Sequence, residues 1–442
     1  HHDECSKRFA PLARARQGPD RCTAPGNPIL FPLAVNYQPA LEIVAMNTTS
    51  VDDLVAQRVD QLVAEHPPKE TPAQEFWGAQ FDLGLAWVQF PEGRGGLRAS
   101  PKLQGLVDER LRAAGAPSNF GRNPIGLGMG APVVVAHGSE AQMDRYLRPL
   151  FTCEEIWCQL FSEPGAGSDV ASLATSATRD GDEWVINGQK VWTTLAHLSR
   201  WGMLVARSDP EQPKHKGLTY FVVDMHAPGV DVRPLRQMTG EAEFNEVYFT
   251  DVRIPDTERR GEVGEGWGVS MTTLMNERVA LGAGSGAAPR GSGAISEAVR
   301  LWKDREDKNP VLRDRLVQLW IESECARLTN MRAAQTRRAG VPGPEGSTGK
   351  LHGAELNKKI YELCIDIMGP AGQLYSSYDM VRPEGLVMTS ADVTKSFLRS
   401  RANSIEGGTS EVMRNILGER VLGLPGDVRV DKTVPWRDVP RN

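Results

Sequence analysis

The order of hydrophobic periodicities along the chain is the feature that most restricts its fold. From about residue 50 to residue 155, apolar side chains recur at helical spacing, as in Val55, Val59 and Leu62. After about residue 172 the pattern changes to short strand-like runs separated by turn residues, and helical spacing returns near Gly266. We therefore predict an α+β protein in which two helical regions flank a β region.

Domain boundaries follow from these changes of pattern. We expect an N-terminal α-helical domain, a small β-barrel domain, a C-terminal α-helical bundle and a tail, over residues 46–155, 156–265, 266–425 and 426–442. Residues 1–45 have neither period and begin with His rather than Met. We expect this segment to be a non-native or disordered extension outside the folded unit.

Two glycine-containing dipeptides in the β region predict tight turns. Asp180-Gly181 and Asn187-Gly188 favour the left-handed backbone conformation that two-residue hairpin turns require. Strand-forming residues 183–186 lie between the two dipeptides, and residues 190–193 follow the second. The sequence therefore predicts two short strands here, separated by a turn at Gly188.

Composition and charge exclude several classes of protein. The 442 residues include 51 basic and 56 acidic side chains, and a net charge of −5 argues against a nucleic-acid-binding domain. The longest apolar runs fall short of the roughly 18 residues that a membrane helix needs. Six cysteines without a CxxC pair disfavour a disulfide scaffold and a zinc site. We expect no metal, no nucleic acid, no membrane span and a cytoplasmic location.

Four groups of short strings carry the functional signal. They are SEPGAGSD at 162–169, NGQKVWTT at 187–194, FTDVRIP at 249–255 with VGEGW at 263–267, and IEGGTSEVMRN at 405–415 with ERVLGLP at 419–425. In order and spacing they resemble the signatures of the flavin-dependent acyl-CoA dehydrogenase family, over about residues 50–425. The resemblance implies a helical N-terminal domain, a middle β-barrel and a C-terminal four-helix bundle, with FAD between barrel and bundle.

The family chemistry sets requirements for the site. Such enzymes remove a proton from the carbon α to a thioester while hydride leaves the β carbon for flavin N5, which gives a trans-2-enoyl-CoA. The base is a carboxylate in a dry pocket, where burial raises its pKa toward that of the substrate proton. The resemblance implies FAD, an acyl-CoA substrate and an electron-transfer flavoprotein as electron carrier. It also implies a homodimer or homotetramer, with a heteromer as the alternative.

The resemblance assigns contacts residue by residue. Its flavin contacts are Phe161, Ser162, Trp192, Thr194, Thr409 and Glu411. Its contacts at the diphosphate and adenine end are Arg305 and Gly369, in strings that depart from the family pattern. Its substrate contacts are Ser168, Arg278, Gly407 and Gly408.

The resemblance implies one of two positions for the general base. Most family members place a Glu directly before the GTS triplet, where this chain has Gly407. Isovaleryl- and long-chain-type members instead take the base from an upstream helix in an LxxER context, which residues 274–278 match. The resemblance therefore implies Glu277 as the base. Glu406 is the alternative, since two glycines follow it and could let it swing inward.

Three functions stay open at this point. The first is an acyl-CoA dehydrogenase, and the second is a related flavin oxidase that passes electrons to oxygen. The third is a catalytically silent or co-catalytic subunit of a heteromer, in which Glu277 is only a helix-surface side chain paired with an Arg. A base on the upstream helix is compatible with branched, long or ring-bearing acyl groups.

Overall fold

The computed structural model describes residues 51–282, 288–338, 345–385, 392–426, 428–429 and 431–440. Side chains are described in these ranges except at 277–282, 337–338 and 345. The predicted extension over residues 1–45 lies outside the described residues.

The N-terminal region is helical, as predicted. Its helices are α1 (Val51–Glu65), α2 (Ala73–Asp82), α3 (Gln104–Ala113), α4 (Ala131–His137) and α5 (Glu140–Phe151). Helix α1 buries Val55, Val59 and Leu62 on one face, because residues three or four apart lie on the same side of a helix. Helix α5 begins at a reciprocal cap in which Ser139 and Gln142 satisfy each other's backbone N–H groups.

The middle region is a single sheet. Its strands are β1 (Ile156–Leu160), β2 (Ser176–Asp180), β3 (Glu183–Thr194), β4 (Ser199–Arg207), β5 (Leu218–Asp224), β6 (Val230–Pro234), β7 (Phe244–Pro255) and β8 (Arg259–Arg260). The hydrogen-bonded order is β6-β7-β3-β2-β4-β5-β8, and β1 pairs in parallel with β4.

Strands β4 and β5 serve two cores at once. Leu204 and Phe221 pack in a core formed by the strands themselves. Met203 and Tyr220, one residue away along each strand, pack with the N-terminal helices. Successive side chains of a strand point to opposite faces, so strands buried on both faces read as continuous apolar runs.

Of the two predicted turns, one is confirmed and one is wrong. Asp180 pairs with Glu183 across a two-residue turn in which Gly181 has a φ of 65°. Gly188, with a φ of 154°, instead lies inside β3, where the register with β7 shifts. A Cβ atom at Gly188 would lie 2.5 Å from the hydroxyl oxygen of Thr175. Glycine is needed there because another segment approaches the backbone closely.

The C-terminal region is again helical. Its helices are α6 (Gly266–Gly282), α7 (Ala294–Asp304), α8 (Pro310–Arg338), α9 (Glu345–Met368), α10 (Val393–Ser400) and α11 (Ser410–Ile416). Helix α9 packs against α7, α8, α10 and α11. The predicted order of helices, strands and helices in an α+β fold is therefore confirmed. The predicted divisions at 155/156 and 265/266 fall in connections between these elements.

Helix α6 contacts all three regions. It packs against α4, against β4 and β5 of the sheet, and against α9. Thr272 meets the His137 ring nitrogen Nε2 at 2.9 Å, and Thr273 meets the Tyr220 hydroxyl at 3.1 Å. The helix that carries the predicted base is thus fixed near the junction of the three regions. Within the described parts of the chain, the helices are all too short or too polar to cross a membrane.

Candidate active site

A buried ion pair joins the Gly-rich loop after β1 to strand β3. The Lys190 Nζ atom lies 2.8 Å from Glu163 Oε1 and donates a hydrogen bond of 3.0 Å to the carbonyl of Phe161. The Glu163 carboxylate also accepts hydrogen bonds from the backbone N–H groups of Ala174, at 2.6 Å, and Thr175, at 2.9 Å. The loop and the strand are therefore held in one fixed arrangement.

This arrangement brings four of the predicted flavin contacts together. The backbone N–H of Val191 donates to the carbonyl of Ser162 at 2.9 Å, which places Ser162 beside the residue preceding Trp192. Thr194, two residues further on, is half-buried. Phe161 is buried, and its ring meets the Tyr220 ring edge-on with centroids 6.0 Å apart.

Trp192 is unusual for a large aromatic residue in a strand. Its side chain is 57% exposed, and its φ of 61° turns it out of the regular pleat. The indole and the Phe244 ring meet nearly at right angles, with centroids 5.8 Å apart. An exposed indole beside polar groups offers a flat apolar surface for the ring system of a ligand.

Unpaired polar atoms lie near this surface. The Thr193 hydroxyl and the Glu243 Oε1 atom are buried and lack hydrogen-bond partners within the described structure. Both residues are fully buried, so the groups open to a ligand at this surface are the exposed indole of Trp192 and the half-buried Thr194. A ring system with polar edges can stack on the indole and hydrogen-bond to the Thr194 hydroxyl. Flavin is such a ring system, and the residues present are therefore compatible with FAD.

Glu406, the alternative base, is held in an ion pair. Arg399 donates to both of its carboxylate oxygens, at 3.0 Å and 2.8 Å, and the Asn403 side chain donates to one of them at 2.9 Å. Burial by itself would lower the pKa of Arg399, but Glu406 raises it above its ordinary value. The guanidinium stays charged, and the carboxylate of Glu406 is committed to it.

Arg399 also links the bundle to the sheet. Glu243 and Glu241, just before β7, are close enough to act on Arg399 electrostatically. Burial is the main cause that raises the pKa of Glu243, and its backbone carbonyl accepts a 2.8 Å hydrogen bond from Leu195, which follows β3. Glu406 and the two acids before β7 therefore all lie close to Arg399. Sequence patterns missed this network because Glu241 and Glu243 are more than 150 residues from Arg399 in the chain.

The glycines after Glu406 have backbone conformations that favour glycine. Gly407 has a φ of 60° and Gly408 a φ of 92°. A Cβ atom at Gly408 would lie 2.7 Å from the terminal methyl group of Met413. The next residue, Thr409, caps α11 by accepting a 3.1 Å hydrogen bond from the N–H of Val412. Its hydroxyl thus has a structural role in addition to the predicted flavin contact.

The remaining predicted contacts lie in different environments. Ser168 is exposed on the Gly-rich loop, and Glu411 is exposed and pairs with Arg414 at 3.2 Å. Arg305 donates to the Asp307 carbonyl at 2.9 Å and bonds to the Ile367 carbonyl at the end of α9. Gly369, with a φ of 62°, follows the last residue of that helix. Arg305 and Gly369, the two residues predicted for the diphosphate and adenine end, are therefore neighbours.

Glu277 and Arg278 lie on α6, but their side chains fall outside the described residues. Among the described residues, no three His, Cys, Asp or Glu side chains come together in a group that could hold a metal ion.

Comparison with known proteins decides the family. The acyl-CoA dehydrogenase N-terminal domain matches residues 44–154, the middle domain residues 158–252 and the C-terminal domain residues 264–422. The chain belongs to the acyl-CoA dehydrogenase family. Members of this family are oxidoreductases that bind FAD, so the predicted family, enzyme class and cofactor are confirmed.

Two curated relatives come from Mycobacterium tuberculosis. Acyl-CoA dehydrogenase IpdE1 is 37% identical over 350 residues, which cover 78% of this chain and 86% of the relative. Acyl-CoA dehydrogenase FadE34 is 39% identical over 360 residues, which cover 80% of this chain but only 47% of the relative. The chain thus spans about half the length of FadE34.

Solved structures of the family share the fold. A steroid acyl-CoA dehydrogenase, Tcur3481-Tcur3483, superposes with a TM-score of 0.62 at 25% identity, over 85% of this chain and 97% of the other. The ChsE4-ChsE5 complex from Mycobacterium tuberculosis gives a TM-score of 0.62 at 26% identity, over 87% of this chain and 100% of the other.

Proposed function

We propose that this acyl-CoA dehydrogenase family member oxidises an acyl-CoA thioester to the trans-2-enoyl-CoA, with Glu277 as the acceptor of the α proton. The observation that carries this proposal is the pairing of Glu406. Arg399 and Asn403 already hold the Glu406 carboxylate, and Gly407 at the usual base position has no side chain. Of the two predicted bases, Glu277 on α6 is therefore favoured.

The proposed roles divide between two faces of the site. Bound FAD would supply the acceptor for the electron pair that leaves the β carbon. On the sheet side, Ser162, Trp192 and Thr194 would hold its ring system, with Phe161 behind them excluding water. On the bundle side the proposed contacts are Thr409 and Glu411, with Arg305 and Gly369 toward the diphosphate and adenine end.

The substrate contacts complete the proposal. Glu277 takes the α proton onto its carboxylate, and Arg278 and Ser168 contact the CoA portion. Gly407 and Gly408 lack side chains, which leaves room for the acyl group beside the bundle. In this arrangement a developing negative charge on the thioester oxygen requires hydrogen-bond donors, as in other acyl-transfer and enolisation sites.

For the acyl group we propose a bulky, ring-bearing substituent. The likeness to a steroid acyl-CoA dehydrogenase, at 25% identity and over 85% of this chain, supports this choice. We propose an electron-transfer flavoprotein as the electron acceptor. The relative CarC of Acetobacterium woodii, named as a subunit of a caffeyl-CoA reductase-Etf complex, is 25% identical over 359 residues and supports such a partner.

A second candidate is a subunit of a heteromer that depends on another chain for activity. The likeness to the ChsE4-ChsE5 complex, over 100% of the matched chain, favours keeping it. The two candidates differ in what the purified chain can do alone, since a dependent subunit gives no turnover without its partner.

The test is to purify the chain alone, record its flavin absorbance and add straight-chain, branched and steroid acyl-CoAs without oxygen. Bleaching of the flavin band with the ring-bearing substrates supports the dehydrogenase, and no bleaching with any acyl-CoA supports the dependent subunit. Reoxidation in air then separates a dehydrogenase, which reacts slowly with oxygen, from an oxidase.

The base is tested by two matched substitutions. Glu277→Gln should keep the flavin spectrum and lower the rate of flavin reduction by about 10²- to 10⁴-fold, because only the proton acceptor is removed. Glu406→Gln, the control, should keep most of the rate, although it weakens the pair with Arg399. The reverse pattern, with Glu277→Gln active and Glu406→Gln inactive, would show that Glu406 is the base.

A further inference from the structure

The C-terminal tail, residues 431–440, lies against the end of β4 and the segment that follows it, beside the loop that carries Ser168. The backbone N–H of Trp436 donates to the carbonyl of Gln212 at 2.9 Å, and its indole N–H donates to the carbonyl of Ser172 at 3.1 Å. Pro435 forms an isolated bridge with Pro213. The tail is therefore attached both to the segment after β4 and to the end of the Gly-rich loop.

Arg207 is the centre of this attachment. Its guanidinium is buried and donates to the carbonyls of Ala171 at 2.6 Å, Leu173 at 3.2 Å and Lys214 at 2.8 Å. The Trp436 ring covers the same guanidinium, with 4.6 Å between the ring centroid and Cζ. A cation stacked on an aromatic ring is stabilised when both are shielded from water. The tail thus closes the solvent side of the cation that holds residues 171–173.

Lys214 makes a second attachment. Its Nζ atom lies 2.7 Å from Asp169, the residue after Ser168, and also ion-pairs with Asp431 of the tail. Asp169 in turn accepts a 2.5 Å hydrogen bond from the hydroxyl of Ser172. Burial by itself would lower the pKa of Lys214, but the two carboxylates raise it. Lys214 therefore stays charged both below and above neutral pH, and it links the tail to the loop.

We infer that the tail is a strap that positions the Gly-rich loop carrying Ser168, with Asp431 and Trp436 as its positioning residues. Through Lys214 and Arg207 they fix residues 169–173, and hence the direction of Ser168. The inference rests on the proposed function, since Ser168 is a proposed contact of the acyl-CoA. The match to the family's C-terminal domain ends at residue 422, so the family likeness does not account for the tail.

The first experiment measures the loop itself and needs neither flavin nor substrate. Hydrogen exchange of the full chain, read by mass spectrometry on peptides covering residues 162–175, should be about tenfold faster in Trp436→Ala and Asp431→Asn, because local opening becomes easier. Arg437→Ala is the control, since Arg437 lies on the same tail but pairs with Glu211 at the surface. Unchanged hydrogen exchange at residues 162–175 in Trp436→Ala and Asp431→Asn would overturn the inference that the tail holds the loop.

The second experiment measures substrate binding. Trp436→Ala should raise KM for the acyl-CoA by about fivefold to tenfold and leave kcat within about twofold, because the loop is displaced and the proton acceptor is not. Trp436→Phe keeps a ring over Arg207 and should restore part of the loss. An unchanged KM, or a fall in kcat alone, would contradict the inference.

The two experiments separate this inference from the proposed function. If the parent protein reduces its flavin with none of the acyl-CoAs, the proposed function fails. Hydrogen exchange at residues 162–175 still decides whether the tail holds the loop.

Discussion

Lys190 and Glu163 form an ion pair that is almost wholly removed from water: Nζ and Oε1 are 2.8 Å apart, and the side chains are 0% and 8% exposed. Burial by itself would raise the pKa of Glu163, but Lys190 and two backbone N–H groups lower it, so the carboxylate is ionised at neutral pH. The pair joins the loop that contains Ser162 to the strand that contains Trp192. Its integrity therefore determines whether Ser162 and Trp192 keep their relative positions.

Lys190→Met should lower the free energy of unfolding by about 3–5 kcal/mol, because it leaves a buried carboxylate without its cation. Urea unfolding followed by circular dichroism gives this value. Arg253→Met is the matched control, since Arg253 pairs with Glu183 and with Asp180, each at 2.9 Å, and the three side chains are 54%, 37% and 60% exposed. Loss of these two surface pairs should cost about 1 kcal/mol. Similar losses of unfolding free energy in Lys190→Met and Arg253→Met would show that the buried pair contributes no more than the surface pairs.

Trp192→Ala should weaken FAD binding by about tenfold, equivalent to about 1.4 kcal/mol of aromatic contact. The free energy of unfolding of the flavin-free protein should change little, because the indole is already 57% exposed. Titration of flavin-free protein with FAD, followed by flavin fluorescence, measures the affinity. Leu198→Ala, at a nearby exposed apolar residue, serves as the control. Equal FAD affinity in the Trp192 variant and the parent would exclude Trp192 from the flavin surface.

Acid should destabilise the sheet through Asp256. Hydrogen bonds from Arg259, at 2.9 Å, and Trp184, at 2.7 Å, lower the pKa of Asp256 to about 2. A lowered folded-state pKa gives stabilisation that is complete above the unfolded value of 3.8 and is lost as the pH falls toward about 2.

The corresponding variant is Asp256→Asn. Between about pH 4.5 and pH 2.5 its unfolding free energy should fall by about 1 kcal/mol less than that of the parent, after allowance for partial solvent exposure. Thermal unfolding across this pH range provides the comparison. If unfolding free energy falls in parallel with pH for the parent and for Asp256→Asn, Asp256 does not contribute to the acid sensitivity.

The sequence predicted the elements whose causes are local. Helix α1 follows from the spacing of Val55, Val59 and Leu62, and the turn at Gly181 follows from its neighbours along the chain. The turn predicted at Gly188 is wrong because the cause of the glycine's conformation is not local. Its conformation is set by the approach of Thr175, which no short sequence window reveals.

The same limit applies to the site. The family strings indicated Trp192 and Thr194, but the partners that hold them come from distant segments. Glu406 was an open alternative because its ion pair with Arg399 depends on how the chain turns after α10. The tail contacts the loop near Ser168 directly through Trp436 and indirectly through Asp431, which pairs with Lys214. The separation of 264 residues between Ser172 and Trp436 leaves no local pattern.

Because of helix α6, the chain cannot be cut between its middle and C-terminal regions without disrupting a shared core. Val269 shares a core with Tyr220 and with the N-terminal helices, although it belongs to the C-terminal region by sequence. A fragment that ends before α6 would expose the apolar side chains of β4 and β5 that α6 covers, and such a surface promotes aggregation. A chimaera that exchanges the sheet between relatives should therefore also exchange α6. The acid on that helix, here Glu277, would move with it.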